Sequence, residues 1–294
     1  NYKVLFFQGG ATGQFAATVL NLASENTKID YINTGSWSTK AIEEAEKLGK
    51  QVNVIASSED KNFSYIPKNF EISKDAAFLH LTSNNTIKGT QWHRFPDAGD
   101  VPVVVDMSSD IACREMDISQ FGLIYAGAQK NFGPAGVTVV IIREDLLERS
   151  PKNMPTAFNY ATYAKKDSLY HTPPVFGIYI IKLVQEWIKR SGGLKGIEEI
   201  NNKKAQLLYG AIDESGFYNG TAAEDSRSIM NVTFRLPDED LEKQFVADAL
   251  ANKMIGVKGH RSVGGIRASI YNPVPLKAVE ALVDFMKEFE KKNG

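Results

Sequence analysis

Cysteine is almost absent from this sequence, excess charge of either sign is missing, and so is any long apolar run. Cys113 is the only cysteine among 294 residues, so no internal disulfide can form, and a reducing, cytoplasmic setting fits. Lysines and arginines number 34 against 35 acidic residues, a formal net charge of −1. That balance argues against a general nucleic-acid binder and against a membrane-surface binder. No apolar stretch approaches the roughly 20 residues of a membrane-spanning helix, and the first residues lack a signal-peptide layout. An initiating methionine is also missing. The chain starts at Asn1 and enters an apolar run at Val4, which reads as a chain whose N-terminal segment is absent or numbered elsewhere.

What is present is ordinary globular composition, 43% hydrophobic and 23% charged, in a chain long enough for one large domain or two smaller ones. Short apolar runs read as strands at Val4–Phe7, Ile29–Asn33, Val52–Ile55, Ala77–Leu81, Val101–Val105, Phe121–Ala126 and Val137–Ile142. Helical patterns follow the first two, one with Phe15, Val19 and Leu22 on a face and one over Thr39–Leu48, where Ser38 and Thr39 are suitable caps. The alternation predicts an α/β fold with a mostly parallel, doubly wound sheet. Residues 146–176, with four prolines, read as an interface loop. A helix with Ile178, Ile181, Leu183, Val184 and Ile188 runs from Gly177 to Arg190 and breaks at Gly192-Gly193. Beyond it, helical Ile197–Ile212, strand Ile229–Leu236, a helix capped by Asp238, strand Gly265–Tyr271 and a helix opened by Pro275 make two strands and three helices. The expected division is a large domain over 1–195 and a small C-terminal α+β domain over 196–294 that can close over it.

Ligands of such sheets bind beyond the carboxyl ends of the strands. Gly9 to Thr12, Trp37, Thr86, Asp106 and Lys130 each fall just after a predicted strand, and together they define a pocket. Lys130 sits in Ala126-Gly-Ala-Gln-Lys-Asn-Phe-Gly-Pro-Ala-Gly136, a tight connection between two buried strands. A lysine so placed loses solvation and can serve as a Schiff-base nucleophile. The glycines at 9, 10 and 13 open a helix whose free amides suit an anion, with the Thr12 hydroxyl beside them. They match neither the Walker pattern nor the dinucleotide G-x-G-x-x-G spacing. Trp37 can stack on a flat ring or cap its strand as a core residue. Asp106, after three valines, has three open roles: capping a turn with Ser108 and Ser109, binding a metal with Asp110, or holding a protonated ring nitrogen. No His or Glu stands at ligand spacing nearby, which weakens the metal reading. The ring-nitrogen reading fits pyridoxal phosphate, which needs both an acidic partner and a Schiff-base lysine. His260, Arg261 and Arg267, among Gly256, Gly259, Gly264 and Gly265, read either as a solvated face or as a loop that wraps a ligand. Arg267 lies in an apolar strand and needs a carboxylate partner, and a substrate carrying both a carboxylate and a phosphate would serve Arg267 and the His260–Arg261 pair respectively.

The segments Gly9–Phe15, Asp106–Ser109, Gly127–Asn131, His171–Pro174 and Gly259–Ser269 resemble phosphoserine aminotransferases, in order and spacing, from the first residue to about Tyr271. The resemblance implies the fold-type-I pyridoxal-phosphate transferase architecture, with a large domain on a seven-stranded-type sheet, and a homodimer. It implies transfer of an amino group between glutamate and 3-phosphohydroxypyruvate, giving phosphoserine and 2-oxoglutarate in serine biosynthesis. By position, Lys130 is the Schiff-base lysine and proton-transfer base, Asp106 pairs the pyridine nitrogen, and Trp37 stacks on the ring. Ala11, Thr12 and Gln129 hold the cofactor phosphate, Thr86 contacts the ring-hydroxyl region, and His171 and Thr172 reach the phosphate from the second subunit. His171 departs from the asparagine of the family at that place. His260, Arg261 and Arg267 bind substrate. Other readings are a lyase or a cysteine desulfurase on the same fold, for which Cys113 looks misplaced, or a non-catalytic homologue.

Overall fold

A computed structural model describes residues 1–294. The chain opens with β1 (Tyr2–Phe7), α1 (Gly10–Leu22), β2 (Lys28–Asn33), α2 (Ser36–Lys47) and β3 (Gln51–Ser57). Then follow β4 (Leu79–Thr82), the short hairpin β5 (Asn84–Asn85) and β6 (Thr90–Gln91), β7 (Val103–Asp106), β8 (Leu123–Gly127) and β9 (Thr138–Arg143). Seven of these strands form one sheet in the order β1-β9-β8-β7-β4-β2-β3. Every pairing is parallel except the two made by β9, which runs against both β1 and β8.

Strands β4, β7 and β8 are buried at every position, which explains why they read as continuous apolar runs rather than alternating ones. Their side chains still alternate between two cores. Val104 and Tyr125 face a cluster with Phe15 and Ala41 from the first two helices, while Val103, Val105, Ile124 and Ala126 join a second cluster on the other face. Because β9 is reversed, the link from β8 to β9 is a tight turn at the carboxyl end of β8. That turn carries Lys130 to the edge where the parallel strands end.

The connection to the C-terminal region contains α3 (Tyr160–Lys165) and α4 (Val175–Arg190). The sequence expectation of an irregular 146–176 is corrected by α3, whose N-cap Asn159 accepts from the Thr162 amide. Next come α5 (Gly193–Asp213), β10 (Asn219–Gly220), β11 (Asn231–Arg235), α6 (Glu239–Ala251), β12 (Ile266–Ser269) and α7 (Leu276–Asn293). The antiparallel sheet β10-β11-β12 has three strands where two were expected, since β10 is too short to show a pattern. It closes a core of its own, in which fully buried Phe245 meets the rings of Tyr218, Phe234, Phe285 and Phe289. No helix is long and apolar enough to cross a membrane.

One local expectation is overturned. Neither Ser38 nor Thr39 caps α2; Gly35 does, at φ 140, and Trp37 therefore lies inside the first helical turn. Ser38 is buried and bonds Thr34 and Thr82 instead. On α4, Leu183 does not face the core but stands 38% exposed, in a row with Phe176 and Tyr179.

Lys204 of α5 is fully buried and donates at 2.8 Å to the carbonyls of Ile270 and Tyr271, just past the end of β12. Burial pushes its pKa from 10.5 down to about 8. Between those values the unfolded chain keeps a proton that the folded chain has released, so this group makes stability rise with pH across that window. Replacing Lys204 by Met should remove the rise. Urea unfolding at about pH 7.5 and pH 10 should show a smaller stability gain in the variant than in the parent.

Candidate active site

The turn after β8 is stapled at several points. The Ala128 amide donates to the Val137 carbonyl at 3.0 Å, and the amides of Phe132 and Gly133 donate back to the Ala128 carbonyl. Asn131, buried, donates to the Ile111 carbonyl at 2.7 Å and accepts from the Asn272 amide at 2.9 Å. Asn272 in turn bonds the Ala112 carbonyl and Asn201. Polar side chains thus tie the lysine turn to the loop after β7 and to the C-terminal region. Sequence reasoning missed this Asn131–Asn272–Asn201 chain, because it joins residues far apart in sequence. The side chain of Gln129 folds back over Gly127, where a Cβ would lie 2.7 Å from its Oε1.

Lys130 is half-buried, with Nζ 4.8 Å from the centre of the Trp37 ring. Burial lowers its pKa below the ordinary lysine value; Asp106 pulls it back up, and Arg267 pushes it down further. Asp106 is 5% exposed, and its own pKa is raised by burial and drawn down by Ser108 and by Lys130. One carboxylate oxygen accepts the Ser108 amide at 2.9 Å, the turn-capping role anticipated among the three. No protein donor reaches the other oxygen. Asp110, the other carboxylate of the metal reading, accepts from Ser83 and Gln91 on its two oxygens, and burial raises its pKa.

Thr86, 4% exposed, joins the ring-stacking candidate to the substrate candidate. Its hydroxyl accepts from Trp37 Nε1 at 3.3 Å, and its carbonyl accepts from Arg267 Nη1 at 3.0 Å. Arg267 has no carboxylate partner in the chain, which leaves it open for the substrate carboxylate anticipated for it, and its buried Nε has no hydrogen-bond partner at all. Such a group is costly unless a ligand completes it. Ala11 and Thr12 lie in the first turn of α1, after Gly9 at φ 97. The amides there have no intrahelical acceptor.

His260 and Arg267 line a cavity of about 390 Å³ together with Lys61, Lys88, Thr233 and Arg235. His260 Nδ1 lies 2.7 Å from the Ser262 hydroxyl and accepts the Ser262 amide at 3.3 Å, which turns Nε2 away from its own loop's hydrogen bonds. Burial, Arg267, Arg261 and Lys40 hold its pKa below the usual histidine value. The loop is fixed from behind by residues that sequence reasoning missed. Buried Glu242 accepts from Arg235 at 2.5 Å and from the Gly265 amide at 3.1 Å, and Arg235 donates to the Val263 carbonyl at 3.0 Å.

Three candidates stand apart from this group. Arg261 is exposed and lines a groove against α6 that His260 also borders, but it does not reach the cavity that holds Lys88 and Arg267. His171 and Thr172 are also exposed. The His171 imidazole donates from Nδ1 to the Thr172 carbonyl at 3.0 Å, leaving Nε2 to accept from the Tyr163 hydroxyl at 2.7 Å. Neither residue touches Lys130 or Trp37 within one chain.

Residues 1–282 match the class-V aminotransferase family model. The chain is 62% identical to the phosphoserine aminotransferase of Desulfatibacillum aliphaticivorans over 295 positions, covering 100% of this chain and 82% of that protein. Its fold superposes on the phosphoserine aminotransferase of Bacillus circulans subsp. alkalophilus with TM-score 0.98 at 55% identity, covering 100% of this chain and 82% of that one. The pyridoxal-phosphate-bound phosphoserine aminotransferase of Trichomonas vaginalis gives TM-score 0.92 at 38% identity, with 98% and 82% covered. The chain belongs to the class-V aminotransferases and, within them, to the phosphoserine aminotransferase family.

Proposed function

We propose that this protein is a pyridoxal-phosphate-dependent aminotransferase that moves an amino group between glutamate and 3-phosphohydroxypyruvate. The observation that carries this reading is the contact chain Lys130–Trp37–Thr86–Arg267 at the carboxyl edge of the sheet. It sets a desolvated amine, an aromatic face and an unsatisfied guanidinium within one site. The residues fit the cofactor. Asp106 keeps one oxygen free for a protonated ring nitrogen, Trp37 offers its face to the ring, and Thr86 lies at the edge of that face. The open amides at Ala11 and Thr12, with the Thr12 hydroxyl and Gln129, suit the phosphate.

When bound, the cofactor supplies an electron sink for negative charge developing at the substrate Cα. Asp106 sustains that sink by keeping its carboxylate beside the ring nitrogen, in a site where burial strengthens the attraction. Lys130 Nζ would take the proton from the substrate Cα and deliver it two atoms away, to the cofactor carbon C4′; its lowered pKa leaves a larger share of neutral amine at neutral pH. Arg267 grips the substrate carboxylate with a bidentate fork, which orients the Cα–H bond toward the lysine. The desulfurase alternative asks for an exposed, mobile cysteine, whereas Cys113 is fully buried with its thiol pKa pushed up.

We further read the chain as two units, 1–195 and 196–294, and as half of a cytoplasmic homodimer. Support for the dimer comes from α4, where Phe176, Tyr179 and Leu183, exposed by 74%, 53% and 38%, form a stripe at i, i+3 and i+7. Beside it an apolar groove of about 620 Å³ runs from Phe132 and Pro134 to Trp187 and has Lys130 on its wall. A second copy on this face would bring its His171 and Thr172 toward the cofactor phosphate.

Borohydride reduction of the protein incubated with pyridoxal phosphate should attach the pyridoxyl group to Lys130, as read by peptide mass spectrometry. Attachment elsewhere would overturn the assignment. Lys130→Ala should lower phosphoserine:2-oxoglutarate transamination by at least about a thousandfold, the scale of a lost proton-transfer base. Phe176→Asp should shift sedimentation from dimer toward monomer.

A further inference from the structure

The cavity shared by His260 and Arg267 contains an excess of positive charge that its own walls do not answer. Lys61, Lys88, Arg235, His260 and Arg267 line it, and no aspartate or glutamate does. Only Arg235 has an acidic partner, Glu242. The Lys88 ammonium meets a neutral acceptor, Asn62 Oδ1, at 2.6 Å, and Arg267 Nε meets nothing. Like charges gathered in a partly desolvated recess repel one another, and an anion relieves them. Arg261, the residue expected to assist His260, does not line this cavity and borders a groove against α6 that His260 also reaches.

We propose that Lys88 is a substrate-phosphate residue: with His260 it holds the phosphoryl dianion of a phosphorylated amino or keto acid, while Arg267 takes the carboxylate. This assignment rests on the aminotransferase reading and extends it. The backbone around Lys88 is fixed from both sides. Its amide donates to Asn85 Oδ1 at 3.3 Å, and its carbonyl accepts from Thr233 Oγ1 at 3.0 Å. Thr233 is the register partner of Arg267 across β11 and β12, and the Thr86 carbonyl, two residues before Lys88, holds Arg267 itself. Gly89 closes the turn at φ 74, where a Cβ would lie 2.9 Å from the Asn231 carbonyl. Lys88 and Arg267 are thus held in one fixed arrangement before any substrate arrives. His260 lines the same cavity. Burial draws the Lys88 pKa below the ordinary lysine value, a cost that a bound dianion offsets.

The test compares Lys88→Gln and Lys88→Arg with the parent in the cofactor-loaded, full-length chain. Lys88→Gln should raise KM for phosphoserine by about tenfold or more, the loss of one charge-assisted hydrogen bond. It should change kcat little, and raise KM for glutamate, whose side chain ends in a single negative charge, by no more than about threefold. Lys88→Arg should restore most of the phosphoserine KM. An unchanged phosphoserine KM, or equal losses for both substrates, would overturn the assignment. Calorimetric binding of inorganic phosphate separates this idea from the parent reading. If the parent protein shows no transamination, the functional reading fails; weaker phosphate binding in Lys88→Gln still supports the subsite, and equal binding removes it.

Discussion

Two hydrogen bonds converge on Thr86, and the site depends on them. Its hydroxyl receives the indole of Trp37 and its carbonyl receives the guanidinium of Arg267. One comes from the first turn of α2, the other from β12 in the C-terminal region. Through this buried residue, the group beside Lys130 and the group awaiting a carboxylate are held in register. The geometry is stiff because each partner is itself anchored: Trp37 by the turn at Gly35, Arg267 by the β11–β12 ladder, Thr86 by the following turn on Asn85 and Thr233.

The second organising feature is incomplete satisfaction. Buried polar groups in folded proteins are nearly always paired, and most here are, including Asp110 and Asn131. In this site several groups stay unanswered. Asp106 has a free oxygen, Arg267 an unpartnered Nε, Lys130 a lowered pKa, and the cavity beyond them several cations without an acid. Each is an expense to the folded chain that a ligand with a protonated ring nitrogen, a carboxylate and a phosphate removes. Such preorganisation is what makes electrostatic catalysis effective, since the donors need not rearrange when charge develops.

Much of this was legible in local sequence. Lys130 could be found because glycines and Pro134 interrupt two apolar runs, and those signals lie within a dozen residues. Asp106 was visible for a similar reason, as a charge directly after Val103-Val104-Val105. Positions set by distant partners were not. Arg261 looked like a companion of His260 in the sequence, and the two do border one groove against α6, but only His260 also reaches the cavity with Arg267, because its loop is held from behind by Arg235 and Glu242. Ser38 and Thr39 resembled helix caps until Gly35 adopted a conformation that starts the helix earlier. Lys88 passed unremarked because Thr233, which holds its carbonyl, lies 145 residues further along the chain.

The account stands on one claim: that Lys130, Asp106 and Arg267 form a single site that exchanges an amino group with a phosphorylated amino acid. The most direct measurement is the visible spectrum of the protein loaded with pyridoxal phosphate, recorded before and after phosphoserine is added. The account predicts a yellow absorbance that phosphoserine bleaches and 2-oxoglutarate restores, with serine having far less effect. A protein that takes up no colour, or whose colour is indifferent to phosphoserine, would contradict it.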